Sequence, residues 1–317
     1  MKIRLRFVAF VILCLCLFCP RVWAFWIWTP ETKTWTNPKN APKESPQEQL
    51  KFAKGYFEAK DYTTALREFK KLVKYFSDAV EAPEAQFYTG RCLEELGQYY
   101  DAFGAYQKII DKYPFSMRTD DVLERQYIVA QKLLDYRKSF IGIDFTGENA
   151  AIEVFRKIVE NSPYGRFAAA SQYKVGLTLK AKGEYAQAVE EFQSVVDNYP
   201  SSEWAEPAKF QIALCASQSS LASSYDQTMT QEAKDQFSEF VRTHPDAELT
   251  QQAQGQISDL EDREAQALYD VAQFYQKQKT LDSARIYYKN LISTYPDSAW
   301  AEKARQQLEE LERKAKP

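Results

Sequence analysis

Histidine occurs once in this 317-residue sequence, as His244 directly before Pro245. A single imidazole gives no histidine pair for a transition metal and no base for a second nucleophile. Cys-x-x-Cys, His-Glu-x-x-His and glycine-rich phosphate loops are missing as well. Glycine totals 10 while Tyr and Phe reach 20 each. So few turn residues argue against a sandwich or barrel and suit packed helices. No catalytic, cofactor or metal site is expected, and the chain reads as a non-enzyme. Apolar residues at 45% and charged residues at 27% are ordinary for a folded protein.

Long hydrophobic runs are missing except at the start, where Lys2, Arg4 and Arg6 precede an apolar run from Phe7 to Phe18 and Val22-Trp23-Ala24 closes it. This pattern reads as a secretory signal peptide over residues 1–24, cleaved between Ala24 and Phe25. The run is short for a bilayer span. Lipidation at Cys14, Cys16 or Cys19 would want a small residue just before the cysteine, where Leu13, Leu15 and Phe18 stand, so simple cleavage is preferred. Processing takes four of the 41 cations and leaves 37 against 44 acidic groups, a net of −7. That balance gives no support to nucleic-acid binding. Two cysteines remain, Cys92 and Cys215, three repeats apart in the register below. Stacked helices sit roughly 8–10 Å apart and a disulfide needs Cα atoms within about 7 Å, so two buried free thiols are expected.

Self-similarity is the strongest signal in the chain. Six times an alanine is followed four residues later by an aromatic: Ala65/Phe69, Ala102/Tyr106, Ala151/Phe155, Ala188/Phe192, Ala233/Phe237 and Ala284/Tyr288. Three residues further on stands Leu72, Ile109, Ile158, Val195, Phe240 or Leu291. Pro114, Pro163, Pro200, Pro245 and Pro296 close five of the units, and Ser77 holds that place in the first. Twelve residues before the alanine, where no insertion intervenes, comes a small residue: Ala53, Gly90, Gly176 or Ala272. Gly97 and Gly183 fall in the gap between. The pattern predicts a helical hairpin in which small residues let the two helices approach, an aromatic fills the space between them, and proline ends the second helix. His244 occupies the position of Tyr113, Tyr199 and Tyr295, which makes it a repeat-anchor residue.

This spacing resembles the tetratricopeptide repeat, a helix–turn–helix unit of about 34 residues. The fold class expected is all-α, a tetratricopeptide-repeat superhelix of about six helical hairpins over 46–317, with repeats near 46–82, 83–120, 121–167, 168–206, 207–247 and 248–317. Extra residues fall at Ser139–Asn149, at Ser217–Thr230 and before the sixth repeat. The last of these, with no breaker but Gly255, reads as a long first helix. Ser202 and Ser298, in the two Pro-x-Ser-x-Trp motifs, are expected N-caps, and Trp204 and Trp300 are expected to pack on the preceding pair. Asp120 and Asp121 suit the first turn of a helix.

With no chemistry in view, surfaces remain. First-helix residues at spacings of three and four predict a groove mixing rings with cations, for which Lys54, Phe57, Phe87, Arg91, Tyr173 and Lys180 are the candidates to hold an extended peptide. The alternative is that they are solvated or inter-repeat packing positions. Residues 25–45 form a Trp/Pro-rich segment, expected to be extended because Pro30, Pro38 and Pro42 forbid a long helix. Its tryptophans Trp26, Trp28 and Trp35 are candidate contacts, either as a strap over the first repeat or as a partner-binding or membrane-interface segment.

The C-terminal part carries a further likeness. Asp226-Gln227-Thr228, Ala233, Phe237, Phe240, Pro245, Ile257, Leu260, Glu264, Tyr269-Asp270-Val271-Ala272, Phe274-Tyr275, Lys277 and Tyr295-Pro296-Asp297-Ser298 stand in an order that resembles the BamD family of outer-membrane β-barrel assembly components. The resemblance implies a non-enzymatic periplasmic scaffold at the inner face of the outer membrane, with peripheral membrane association possible. Its N-terminal repeats would receive unfolded barrel substrates near Lys54, Phe57, Phe87 and Arg91, and its fifth and sixth repeats would dock the barrel insertase. Members of that family usually carry a lipidated cysteine and five repeats, from which this sequence departs. A second likeness is to Tol-Pal accessory proteins of the CpoB type, which coordinate cell-wall synthesis and envelope constriction, although no heptad run precedes the first repeat here.

Overall fold

The computed structural model describes residues 27–29, 34–36, 41–140, 143–222, 227–245 and 248–315. Ala24, Phe25, Trp26 and the signal segment lie outside them. The helices are α1 (Pro46–Glu58), α2 (Tyr62–Tyr75), α3 (Ala82–Glu95), α4 (Tyr99–Lys112), α5 (Thr119–Leu134), α6 (Glu148–Asn161), α7 (Ala168–Ala181), α8 (Tyr185–Asn198), α9 (Ala205–Ala222), α10 (Gln227–Thr243), α11 (Glu248–Lys277), α12 (Leu281–Thr294) and α13 (Ala299–Ala315). Consecutive pairs from α1/α2 to α11/α12 give six hairpins, and α13 follows them. The chain divides into two compact units, Met1–Val122 and Leu123–Pro317. Among the described residues no helix is long and apolar enough to cross a membrane.

Every member of the repeating alanine–aromatic–aliphatic set is buried, at most 3% exposed in all six hairpins. The aliphatic position has a second role. Its carbonyl accepts the backbone N–H that ends the helix: Phe76 to Leu72, Tyr113 to Ile109, Ser162 to Ile158, Tyr199 to Val195, His244 to Phe240 and Tyr295 to Leu291, all between 2.8 and 3.0 Å. Proline then follows in five of the six and cannot continue the ladder. Helix starts are equally local. Ser45 caps α1 by accepting from Glu48 N at 3.2 Å, with Pro46 at the first helical position. Asp61 caps α2 through Thr64 N at 3.1 Å.

The small residues do what the spacing predicts. A Cβ added to Gly90 would lie 2.5 Å from the Tyr106 ring, and one on Gly176 would lie 2.6 Å from Phe192. The same position is Ala130 and Ala213 in the two hairpins whose insertions hide it from the spacing, and both are fully buried. The turn inside the hairpin is left-handed at Lys60 (φ 61°), Gly97 (φ 72°), Gly183 (φ 79°) and Lys279 (φ 62°). Glycine occupies two of these four and lysine the other two, where the side chain costs about 1–2 kcal/mol.

Three segments differ from the simple hairpin. The added residues near 139–149 form an antiparallel ribbon of β3 (Arg137–Phe140) and β4 (Ile143–Thr146), with Arg137 opposite Thr146 and Phe140 opposite Ile143. Gly147 follows as the cap residue of α6, and a Cβ there would overlap the Leu133 carbonyl. In the fifth hairpin Ser217 to Ala222 continues α9. In the sixth, α11 runs 30 residues without a break, about 45 Å at the helical rise. It packs on α9, α10, α12 and α13.

Ser298 caps α13, accepting from Ala301 N at 3.0 Å. Ser202 does not act as expected. Its hydroxyl is buried without a hydrogen-bond partner, because α9 starts three residues later, at Ala205, and the intervening turn is closed by backbone bonds alone. Asp120 and Asp121 lie in the first turn of α5, where Asp121 accepts from Arg118 at 3.1 Å. His244 is packing material, its ring stacked on Phe240 at 5.0 Å. Cys92 and Cys215 are free and buried. Burial pushes their thiols up to about 12 and about 11 respectively, which favours the protonated thiol over the thiolate at neutral pH.

Within residues 25–45, β1 (Ile27–Thr29) pairs antiparallel with β2 (Thr34–Thr36) and sets Trp28 opposite Trp35. The two indoles meet edge to face at 5.9 Å and remain 47% and 63% exposed. The described residues of this segment are extended strands, and these two rings stay largely open to solvent.

Candidate functional site

The first unit gathers rings and charges on α1, α3 and the turn leading into α5. Lys54, one residue beyond the buried Ala53, sends its ammonium to Glu84 Oε1 at 2.5 Å and lies 5.0 Å from the centroid of the Tyr88 ring. Phe57, one turn on, meets Tyr88 edge to face at 5.1 Å and Tyr62 at 5.4 Å. Tyr88 stacks in turn on Phe69 of the core at 5.2 Å. The sequence places these groups together because 54 and 57 share a face of α1, while 84, 88 and 91 share one of α3.

Arg91 lies over Phe57 at 5.8 Å and approaches Glu95 at 3.8 Å. Its Nε is buried without a hydrogen-bond partner. Arg118 lies over Phe87 at 4.7 Å and within 3.5 Å of Glu84. Three cations thus stand on rings, Lys54 and Arg118 beside Glu84 and Arg91 beside Glu95. Half-exposed pairs of this kind contribute about 0–1 kcal/mol each to stability, so they are exchangeable for contacts with a ligand. Glu94, three residues after Arg91 on α3, accepts from the Tyr106 hydroxyl at 2.5 Å, and burial raises the Tyr106 hydroxyl well above its ordinary range.

Two candidates are not groove residues. Phe87 is 6% exposed and Tyr173 7%. Each ring lies between the aromatic of its own second helix, Tyr106 at 5.6 Å or Phe192 at 5.4 Å, and the side chain that leads into the next hairpin. That side chain is Trp204 at 5.0 Å from Tyr173, and Trp300 at 5.5 Å from Tyr269 in the last hairpin. Both tryptophans pack as expected. Lys180 lies in the second unit, where its ammonium donates to Gln211 at 2.5 Å. Of the six candidates, the structure brings Lys54, Phe57 and Arg91 together.

Glu84, Tyr88 and Arg118 were missed, yet the repeat register holds a signal for the last. Four residues after the closing position stand Phe167, Trp204 and Trp300 in three repeats and Arg118 in the second. An arginine in an aromatic position keeps the stacking and adds a charge.

Comparison with known proteins follows the same division. Residues 149–286 match the YfiO family model, described as an outer membrane lipoprotein, and residues 50–116 match a tetratricopeptide-repeat model. No curated protein matches the chain. Among solved structures, it is similar to the C-terminal part of a repeat-containing protein from Cytophaga hutchinsonii, with 18% identity, coverage of 83% of this chain and 88% of that one, and TM-score 0.39. It is also similar to MamA from Desulfovibrio magneticus RS-1, with 16% identity, 66% and 99% coverage, and TM-score 0.35. A third is YrrB, described as a TPR protein with an unusual peptide-binding site, with 16% identity, 67% and 93% coverage, and TM-score 0.36. The six hairpins in one register, with the repeat model matching inside the first two, make this chain an all-α repeat protein of the tetratricopeptide type.

Proposed function

We propose that the protein is a non-enzymatic periplasmic scaffold of BamD type, which helps assemble β-barrel proteins into the outer membrane through protein–protein contacts. The observation that carries this reading is the match of residues 149–286 to an outer membrane lipoprotein family, over the hairpins in which the sequence resembles that family. The ring-and-cation cluster of the first unit, Lys54, Phe57, Arg91 and Arg118, supplies a surface for extended peptide segments. Rings give contact area at low entropic cost, and guanidinium groups held over them keep donors free for carboxylates and backbone carbonyls. The fifth and sixth hairpins are the proposed docking surface for the barrel insertase.

The test is a pull-down of the tagged protein from solubilised envelope, read by mass spectrometry. Recovery of the barrel insertase with its periplasmic domains supports the reading. Recovery of Tol-Pal components or cell-wall synthases without the insertase overturns it.

A further inference from the structure

The face of α2 opposite the core carries four cations. Ala65, Phe69 and Leu72 point inward, and Arg67, Lys70, Lys71 and Lys74 fall within an arc of about 100° on the other side. The arrangement belongs to this hairpin alone. In the same register, the equivalent positions of α8 are Glu190, Gln193, Ser194 and Asp197, and none of the other second helices carries four cations there. The concentration of charge is local, because the whole sequence is net negative.

Solvation by local carboxylates does not account for it. Glu68 takes Lys71 at 2.9 Å and Arg67 at 3.3 Å. Among the described residues Lys70, Lys74 and Lys108 have no carboxylate partner. These three lysines line one open cleft of about 540 Å³ between α2 and α4, together with Asp101 and the buried Gln86 and Thr89. Gln86 and Thr89 donate to the Ala105 and Ala85 carbonyls at 2.8 and 2.9 Å, so it is the three lysines, against the single carboxylate of Asp101, that suit the cleft to a phosphate-bearing group.

We propose that this face docks the protein on an anionic phospholipid surface, with Lys70, Lys74 and Lys108 holding headgroup phosphates. Charge complementarity selects an anionic partner. A membrane is favoured over an acidic protein by the exposed Trp28–Trp35 pair in the same unit, since indoles partition to the headgroup layer. Each lysine near such a surface contributes attraction that salt screens. The inference is independent of the insertase contact, which is assigned to other hairpins.

Flotation of the whole protein with vesicles of phosphatidylcholine, with and without one-third phosphatidylglycerol, is the direct test. Binding to the anionic vesicles only, reversed by high salt, is expected. The triple variant Lys70→Gln, Lys74→Gln, Lys108→Gln changes three exposed side chains and should lower that binding at least about tenfold, while still recovering the same envelope partners. Trp28→Ala with Trp35→Ala should weaken binding to the anionic vesicles at low salt. Equal binding to neutral vesicles, an unaltered triple variant, or capture of polyaspartate without any vesicle binding would each overturn the proposal.

Discussion

Arg118 holds its guanidinium 4.7 Å from the centroid of the Phe87 ring, in the position that Trp204 takes against Tyr173 and Trp300 against Tyr269. One place in the repeat is thus filled either by an indole or by a charged plane. The two have similar packing value but different chemistry. Arg118→Trp should leave the thermal midpoint within about 2–4 °C of the parent, because the register accepts a ring there. Binding of an acidic extended peptide to the first unit should fall about tenfold, the worth of one charge-assisted hydrogen bond. Isothermal titration beside a melting curve separates the two effects. Loss of stability with no change in affinity would make Arg118 a packing residue only.

The glycines at close approaches should tolerate nothing larger. Gly90→Ala sets a methyl against the Tyr106 ring and is expected to cost about 1–3 kcal/mol. Gly147→Ala meets backbone at Leu133, which cannot swing aside as a ring can, so its cost should be the greater of the two. Urea denaturation of the three proteins checks the order. Gly255→Ala has open space around it and should gain about 1 kcal/mol from helix propensity.

Left-handed lysines offer the opposite sign. Lys60→Gly relieves a strained φ and should be neutral or stabilising by up to about 1 kcal/mol, whereas Gly97→Ala imposes the same strain and should cost about 1 kcal/mol. Matched melting curves decide this, and a loss of stability in Lys60→Gly would mean that the lysine side chain contributes more than its backbone costs.

Glu68 gives the first unit an acid limit. Burial works against its charge, but hydrogen bonds from Lys71 and Gln49 prevail and hold its carboxyl below the usual value of 4.5. A depressed carboxylate contributes stability that is complete above the unfolded value and is lost as pH falls through the folded one. Stability should therefore decline below about pH 4.5, and Glu68→Gln should flatten that decline while lowering stability at pH 7. Chemical denaturation across the acid range is the measurement, and an unchanged slope in the variant would remove Glu68 from the account.

The hairpins were legible because what makes them is local. Ala65, Phe69 and Leu72 and their five counterparts are spaced by the helical turn, the end of each second helix is set by a carbonyl four residues back and, in five of the six, a proline one residue on, and the close approach at Gly90 and Gly176 follows from the missing side chain. The long α11 was readable for the same reason, since nothing between 253 and 277 interrupts a helix except one tolerated glycine. The ribbon of β3 and β4 was visible only as extra residues, because pairing depends on two strands finding each other rather than on either one's composition.

Surface and interior could not be told apart by spacing. Phe87 and Tyr173 share a face with Arg91 and Lys180, yet the rings are covered by Arg118 and Trp204, side chains that arrive from the start of the following hairpin. Lys54 meets Glu84 for the same reason, thirty residues away. Local periodicity and turn chemistry determined that there are hairpins, where they end and which residues face inward within each pair. Only the packing of one hairpin on the next decided which of the remaining positions stay open, because a residue's exposure depends on atoms that its own helix does not supply.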